Sequence, residues 1–486
     1  VVPITHHHPQ IEQGMEHDDE PIQLGFAIPV SSKGDIGHAS PAWSEWDGGK
    51  IGGRPSWLNP RDLPQSPIRC KGPCASQTDE GEAMRFVAQL YCPADDTTEN
   101  EAAFHRTLYV FACPTCCRNL EDDSEKRRDQ LSNAVRVLRC QLPKLNDFYP
   151  PTGKVTRWNK HTSAHWATIT GNDRLNLCAV TGQCSKGKCP KQKRWFCGPT
   201  FQKEYLRASK NVSNGGEINL PSIYHESELV VEEEPEVTRS ERAESPSSSS
   251  RAPLFPSKDI TDTDADLEQS DLNALTGTSL ARAATGVTDP NTLAFYARMA
   301  IGGEEDDVRD QVLRYSRWTE YTSGGGEVDE TEKGGGPLWI SSNDLPSSSE
   351  TEFPPKCEYC GAPRKFEFQL MPQMLHYLLH YGESGEGGVQ KGLSDTDLAI
   401  LLEAKAKIES GAQLPPGFLE QHDAAVQNAR NALLGGDRGN NSSKGGLDWG
   451  TIAVYTCTAS CGDGSKVSDE LGSYLEERGW VQPSID

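Results

Sequence analysis

The 486-residue chain has no run of about 18 apolar residues, so no membrane-spanning helix is expected. Its first residues are polar and lack an apolar core, and we expect no secretion signal. Catalytic signatures are missing as well. There is no G-x-S-x-G elbow, no P-loop, no G-x-G-x-x-G after a strand and no H-E-x-x-H pair. Asp448 and the Glu476/Glu477 pair are carboxylates without an evident partner, and they read as turn and surface groups rather than an acid/base pair. Positive charge is in short supply: 48 Lys and Arg face 71 Asp and Glu, which leaves −23 at pH 7. Phosphate binding draws on Lys and Arg, so the chain as a whole does not read as a nucleic-acid binder. The balance suits a basic protein partner instead. We expect a non-enzymatic monomer of the cytoplasm, with the nucleus as a second compartment.

What the sequence does hold is cysteine, 15 residues of it. Without secretion these read as metal ligands and core thiols rather than a disulfide framework. Cys357/Cys360 form a C-x-x-C pair, and Cys457/Cys461 close the same region behind the β-prone run Ile452-Ala453-Val454-Tyr455-Thr456. Two such pairs beside strands bring four thiolates to one tetrahedral ion, and four protein ligands leave no place for water, so the zinc expected there is structural. A looser set precedes it: Cys70 and Cys74, then Cys113 and Cys116, with Cys117 as an alternative to Cys116. One to two structural zinc sites are therefore expected. A redox role for Cys357/Cys360 is disfavoured because no βαβ pattern surrounds them. A third group, Cys178, Cys184, Cys189 and Cys197, has Thr181 and Gln192 where further C-x-x-C partners would stand, and we expect one zinc or none. Lys186, Lys188, Lys191, Lys193 and Arg194 between them read as a solvated face or a contact for an acidic partner. His6, His7 and His8 read as an incidental cluster.

Read in order, the chain divides into a disordered leader (1–20), a first β-rich domain (21–220) and an acidic linker (225–287). A second β-rich domain (288–486) follows, interrupted by an inserted segment (382–446). The linker contains Glu232-Glu233-Glu234-Pro235-Glu236 and Ser245-Pro246-Ser247, which bury too little apolar area to offset chain entropy. Strands are expected at 24–28, 84–91, 107–112 and 135–143, with a charged helix over 120–133. Asp289 reads as the N-cap of a helix carrying Leu293, Tyr296 and Met299, and Val308 to Trp318 as a second helix. Trp57 is expected to be a buried anchor behind a turn made by Gly52, Gly53 and Pro55. The segment Gly53-Arg54-Pro55-Ser56-Trp57-Leu58 is echoed by Gly335-Gly336-Pro337-Leu338-Trp339-Ile340, and both lead to a cysteine pair. The fold expected is thus α+β and β-rich: two related β-sheet domains from an internal duplication, stapled by cysteine zinc sites. The first carries a degenerate zinc-finger-like insert at about 175–205.

These segments resemble the programmed cell death protein 2 family, which includes a yeast member acting in ribosomal-RNA processing. The resemblance rests on Cys357-Glu358-Tyr359-Cys360-Gly361-Ala362-Pro363-Arg364-Lys365-Phe366-Glu367-Phe368-Gln369, on Asp448-Trp449-Gly450 and on Trp480-Val481-Gln482. At the front it rests on Gly52-Gly53-x-Pro55-x-Trp57-Leu58, Phe104-His105-Arg106 and Arg139-x-Gln141-Leu142-Pro143. It implies a dedicated chaperone for one basic small-subunit ribosomal protein, the eukaryotic relative of bacterial S-five, supporting 40S assembly and pre-rRNA processing. It also implies a MYND-type finger between the halves, from which residues 178–197 depart at Thr181 and Gln192. The rival reading is a zinc-stabilised scaffold in transcription or cell-death regulation.

Overall fold

The computed structural model describes residues 22–29, 49–77, 82–93, 101–118, 123–146, 176–210, 223–234, 289, 291–292, 295, 311–318, 336–346, 353–379 and 447–484. The leader, His6 to His8, Leu293, Tyr296, Met299, the segment 382–446 and most of the acidic linker lie outside the described residues. The chain forms two compact units, one made of Val1–Glu233, Asp310–Lys391 and Leu434–Asp486, the other of Glu234–Arg309 and Gly392–Leu433. In the second unit the Asp289 carboxylate accepts the Thr292 N–H at 3.0 Å, the capping bond expected there.

The first unit is organised by strands β1 (Gln23–Pro29), β2 (Gly49–Ile51), β3 (Arg85–Tyr91), β4 (His105–Ala112) and β5 (Val135–Leu142) from the front half. A small hairpin, β6 (Gly187–Cys189) and β7 (Arg194–Phe196), stands apart. Then come β8 (Ser227–Glu233), β9 (Leu313–Tyr315), β10 (Arg364–Leu370), β11 (Thr451–Cys457) and β12 (Leu475–Gln482). Among the described residues four helices accompany them: α1 (Pro114–Arg118), α2 (Ser124–Asn133), α3 (Pro199–Lys210) and α4 (Met374–Leu379).

Ten of the strands close into a single antiparallel barrel in the order β1-β8-β2-β3-β4-β5-β12-β11-β10-β9, with β9 returning to β1. This corrects the expectation of two β-sheet domains. Each half contributes a meander, β3-β4-β5 or β10-β11-β12, and a meander standing alone would leave its outer strands unpaired. Joining β5 to β12, and β3 to β10 through β2, β8, β1 and β9, removes every edge. Two local expectations change with it. Residues 227–233, read as the start of the linker, are the strand β8, whose backbone pairs with β1 and β2 while Glu232 and Glu233 stay exposed. Residues 313–315, read as part of a helix, are the strand β9 between β1 and β10.

The two meanders share local devices. A bulge interrupts β3 between Phe86 and Ala88, and another interrupts β10 between Phe366 and Phe368. Gln89 accepts the Ser56 N–H at 2.7 Å, and Gln369 accepts the Leu338 N–H at 2.6 Å. On one side of the barrel Trp57, 1 % exposed, lies 5.1 Å centroid to centroid from both Tyr109 and Tyr474. The two phenols bond the backbone of Ser56, Leu58 and Asn59, so these rings fix the segment that carries the tryptophan. Gly52 opens that segment at φ +66°, where a Cβ would lie 1.8 Å from the His225 carbonyl.

The barrel interior is charged at one level. Arg106 on β4 and Glu367 on β10 are separated by β5, β12 and β11, so their contact crosses the lumen. It is bidentate, at 2.6 and 2.7 Å, and both side chains are 0 % exposed. Glu367 also accepts from Tyr315 (3.1 Å), Arg317 (3.2 Å) and the Thr456 hydroxyl. Burial alone would raise its pKa, yet the Arg106 and Arg317 guanidinium groups hold it well below the usual carboxylate range. The Glu367 carboxylate therefore balances two buried cations, and its removal leaves both in an apolar interior. Replacement of Glu367 by Leu is expected to destabilise the fold by about 3–5 kcal/mol. Urea unfolding of the variant beside the parent chain measures this, and a loss under about 1 kcal/mol would contradict the assignment.

Candidate metal centres

The loop after β2 carries Cys70 and Cys74, the latter in a 3-10 turn over Pro73–Gln77. The end of β4 delivers Cys113, and α1 delivers Cys116 one turn later. The four sulfurs lie within 4.8 Å of one another, with Cys70 to Cys116 and Cys74 to Cys113 both at 3.6 Å. A tetrahedral ion with thiolate bonds of about 2.3 Å sets its sulfurs roughly 3.8 Å apart, whereas a disulfide holds them at about 2.05 Å. The spacing fits a shared ion, and all four cysteines are buried. Cys117 turns the other way, its thiol toward the Ala134 carbonyl, which leaves Cys116 in the cluster. The frame around the cluster is backbone: Cys113 N–H donates to Ala134 O at 2.8 Å, and Gln130 Nε2 donates to Cys116 O at 2.7 Å.

The second cluster lies at the mouth of β10 and β11. Cys357 and Cys360 form a knuckle closed by Gly361 N–H to Cys357 O (2.9 Å) and Cys357 N–H to Ala362 O (2.8 Å). Cys457 ends β11, and a tight turn presents Cys461. Cys357 to Cys461 is 3.6 Å, Cys360 to Cys457 is 3.5 Å and Cys457 to Cys461 is 3.9 Å. This cluster is less enclosed, because Cys360 is exposed and Cys461 partly so.

Glu476 and Glu477, taken from the sequence as surface carboxylates, are buried on β12 and serve one cluster each. Successive strand residues face opposite ways. Glu477 accepts from Arg139 Nε (2.6 Å), Arg364 Nε (2.9 Å) and the Cys457 N–H (3.1 Å). Arg139 continues to the Cys461 carbonyl at 2.8 Å, and Arg364 to the carbonyls of Pro355 and Lys356 just ahead of Cys357. Gln141 on β5 donates to Ser460 O and Gly462 O at 2.9 and 3.0 Å. Glu476 faces the other cluster. It receives Arg136 at 2.7 and 3.0 Å and Lys71, between Cys70 and Cys74, at 2.7 Å. Burial opposes its charge, but Arg136 and Lys71 hold its carboxyl down to about 2. Gly479 allows this approach of β12 to β5, since a Cβ there would lie 2.4 Å from Val135 Cγ1.

Cys178, Cys184, Cys189 and Cys197 are not gathered in this way among the described residues. Cys197 N–H donates to Cys178 Sγ at 3.3 Å, and the Thr181 hydroxyl lies 3.2 Å from Cys197 Sγ. Cys189 instead accepts from Gln202 at 3.1 Å. Gln183 anchors this region to the barrel, its side chain accepting Ile68 N–H at 2.8 Å and donating to Met84 O at 2.9 Å.

Two family profiles match the chain, the N-terminal domain of programmed cell death protein 2 over residues 22–155 and the C-terminal domain of the same protein over residues 304–398. Among curated proteins, programmed cell death protein 2 of Bos taurus is 28 % identical over 398 residues, covering 76 % of this chain and 89 % of its own. The Mus musculus protein of that name is 25 % identical across 96 % of this chain and 97 % of its own. No solved structure matches.

Two outcomes follow from this geometry. A chelator titration read by metal content is expected to empty the cluster with exposed Cys360 before the buried one, and Glu477→Gln is expected to weaken metal retention at Cys357/Cys360/Cys457/Cys461 by about ten- to a hundredfold. Simultaneous loss from both clusters in the variant would contradict the division of labour between Glu476 and Glu477. Glu476 also sets a pH dependence. Its pKa is lower folded than its ordinary 4.5, so its contribution is complete above 4.5 and disappears as pH falls toward about 2. Glu476→Gln should therefore lose on the order of 3 kcal/mol relative to the parent at neutral pH, with the gap closing across that acid window in pH-dependent unfolding.

Proposed function

The chain belongs to the programmed cell death protein 2 family, and from that premise we propose that it is a dedicated chaperone for a basic small-subunit ribosomal protein, supporting 40S assembly and pre-rRNA processing. In this reading both cysteine clusters hold structural zinc and the two meanders descend from one duplicated unit. The protein acts as a monomer in the cytoplasm and the nucleus. The observation that carries the proposal is the net charge of −23 on a chain whose two metal-type clusters are each closed by four thiols. Four thiolates leave no ligand position for water or substrate, which supports a structural rather than a catalytic ion. A strongly acidic chain speeds encounter with a basic client and disfavours that client's premature contact with RNA. The acidic segment 235–287, beyond β8, supplies long-range capture in this scheme.

Affinity capture of the protein with translating ribosomes tests the proposal. The expected result is enrichment of one nascent basic small-subunit protein and its message. Recovery of several mature proteins without a nascent chain would favour a scaffold in transcription or cell-death regulation instead. Deletion of residues 235–287, which spares β8, is expected to slow client association at low salt while leaving a complex, and an unchanged rate would remove the segment from the scheme.

A further inference from the structure

One region runs against the acidity of the chain. Residues 176–210 contain eight Lys and Arg and a single carboxylate, Glu204, a local balance of +7 within a total of −23. Five of the cations, Lys186 just ahead of β6 and Lys188, Lys191, Lys193 and Arg194 on the β6–β7 hairpin and its turn, are exposed. The other three, Lys203, Arg207 and Lys210, are spaced i, i+4, i+7 on α3 and occupy one exposed face. The opposite face of that helix, Phe201, Tyr205 and Ala208, packs on Cys178, Val180 and Phe196. Packing of the helix against the hairpin gathers the two basic sets on one module, which Gln183 and the Arg54 bonds to the Ala179 and Val180 carbonyls fix to the barrel.

Two details separate this surface from a merely solvated one. Lys188 Nζ is held 5.5 Å over the Trp195 ring, and the Arg194 guanidinium 5.5 Å over the Tyr205 ring. The Trp195 ring is only partly buried, whereas the Tyr205 ring packs on Phe196 with centroids 5.5 Å apart. Cations parked on rings lose less side-chain freedom when an anion arrives, and a part-exposed ring among cations, here Trp195, offers π surface to an unstacked base. A purely acidic peptide would meet the same cations but makes no use of the Trp195 ring. The acidity of the remaining chain does not forbid this, because at physiological salt the screening length is about 8 Å and the local balance governs contact.

We propose that the β6–β7 hairpin and α3 form a binding surface for single-stranded nucleic acid, in which about four of the eight cations contact phosphates at a time and Trp195 faces a base. The test uses the purified full chain without any client, so its outcome is separate from that of the chaperone proposal. Fluorescence anisotropy with labelled oligouridylate and oligothymidylate of about 12 nucleotides is expected to show saturable binding at about 50 mM salt. With about four phosphates engaged, affinity should fall roughly fiftyfold by about 200 mM salt. The combined reversal Lys191→Glu, Lys193→Glu, Arg194→Glu on the exposed turn is expected to weaken binding by at least about tenfold, while Lys126→Glu on α2 leaves it unchanged. Trp195→Leu should weaken binding about five- to a hundredfold without changing the salt slope. Thermal melts of each variant confirm the fold. Absence of binding at the lower salt, a triple reversal without effect, or stronger competition by polyglutamate than by unlabelled oligonucleotide would each overturn the proposal. The last result would mark a surface for acidic protein.

Discussion

A guanidinium removed from water has to find an acceptor, and three buried arginines of the front half of this barrel find carboxylates from the rear half of the chain. Arg106 depends on Glu367, Arg136 on Glu476, and Arg139 on Glu477. Ions buried in this way add little net stability compared with apolar side chains, but they penalise every arrangement that leaves one of them alone. Two independent sheets would strand all three arginines. The interior charges and the unpaired strand edges therefore demand the same closure, and β5 against β12 is where both demands are met.

The same seam organises the cysteine clusters. Each is built from one half of the chain, Cys70 to Cys116 in front and Cys357 to Cys461 behind, yet each is steadied from across the seam. The front cluster leans on Glu476 of β12 through Lys71, and the rear cluster on Arg139 and Gln141 of β5. One dipeptide on β12 thus faces both, with the period-two alternation of the strand deciding which carboxylate serves which cluster. The geometry of the cysteine clusters and the closure of the barrel are consequently not independent properties of this fold.

Much of this was readable one strand at a time. The runs at 84–91, 107–112 and 135–143 declared themselves by β-branched and aromatic content, and the cysteine pairs by their spacing. What escaped was long-range. Nothing local to Glu476 and Glu477 shows that arginines wait some 340 residues away, so adjacent charges resembled a surface feature. Arg314 sits in a strand of three residues that is wholly buried, and a charge in so short a run imitates the polar face of a helix. The strand β8 was hidden by its glutamates, whose side chains reach solvent while their backbone is committed to β1. The basic island was visible as a run of lysines. Its coherence was not, because α3 brings the second set of cations alongside only through packing in three dimensions.

The distance along the chain between Arg136 and Glu476, 340 residues, has a meaning in time. Ribosomes extend a chain at about 5–20 residues per second, so β5 waits roughly 20 to 70 s for the strand that completes it. Throughout that interval the front meander has an open edge and Arg136 and Arg139 lack their acids. Closure of the barrel is thus a late event in the life of each molecule, set by the pace of synthesis rather than by the speed at which local hairpins form.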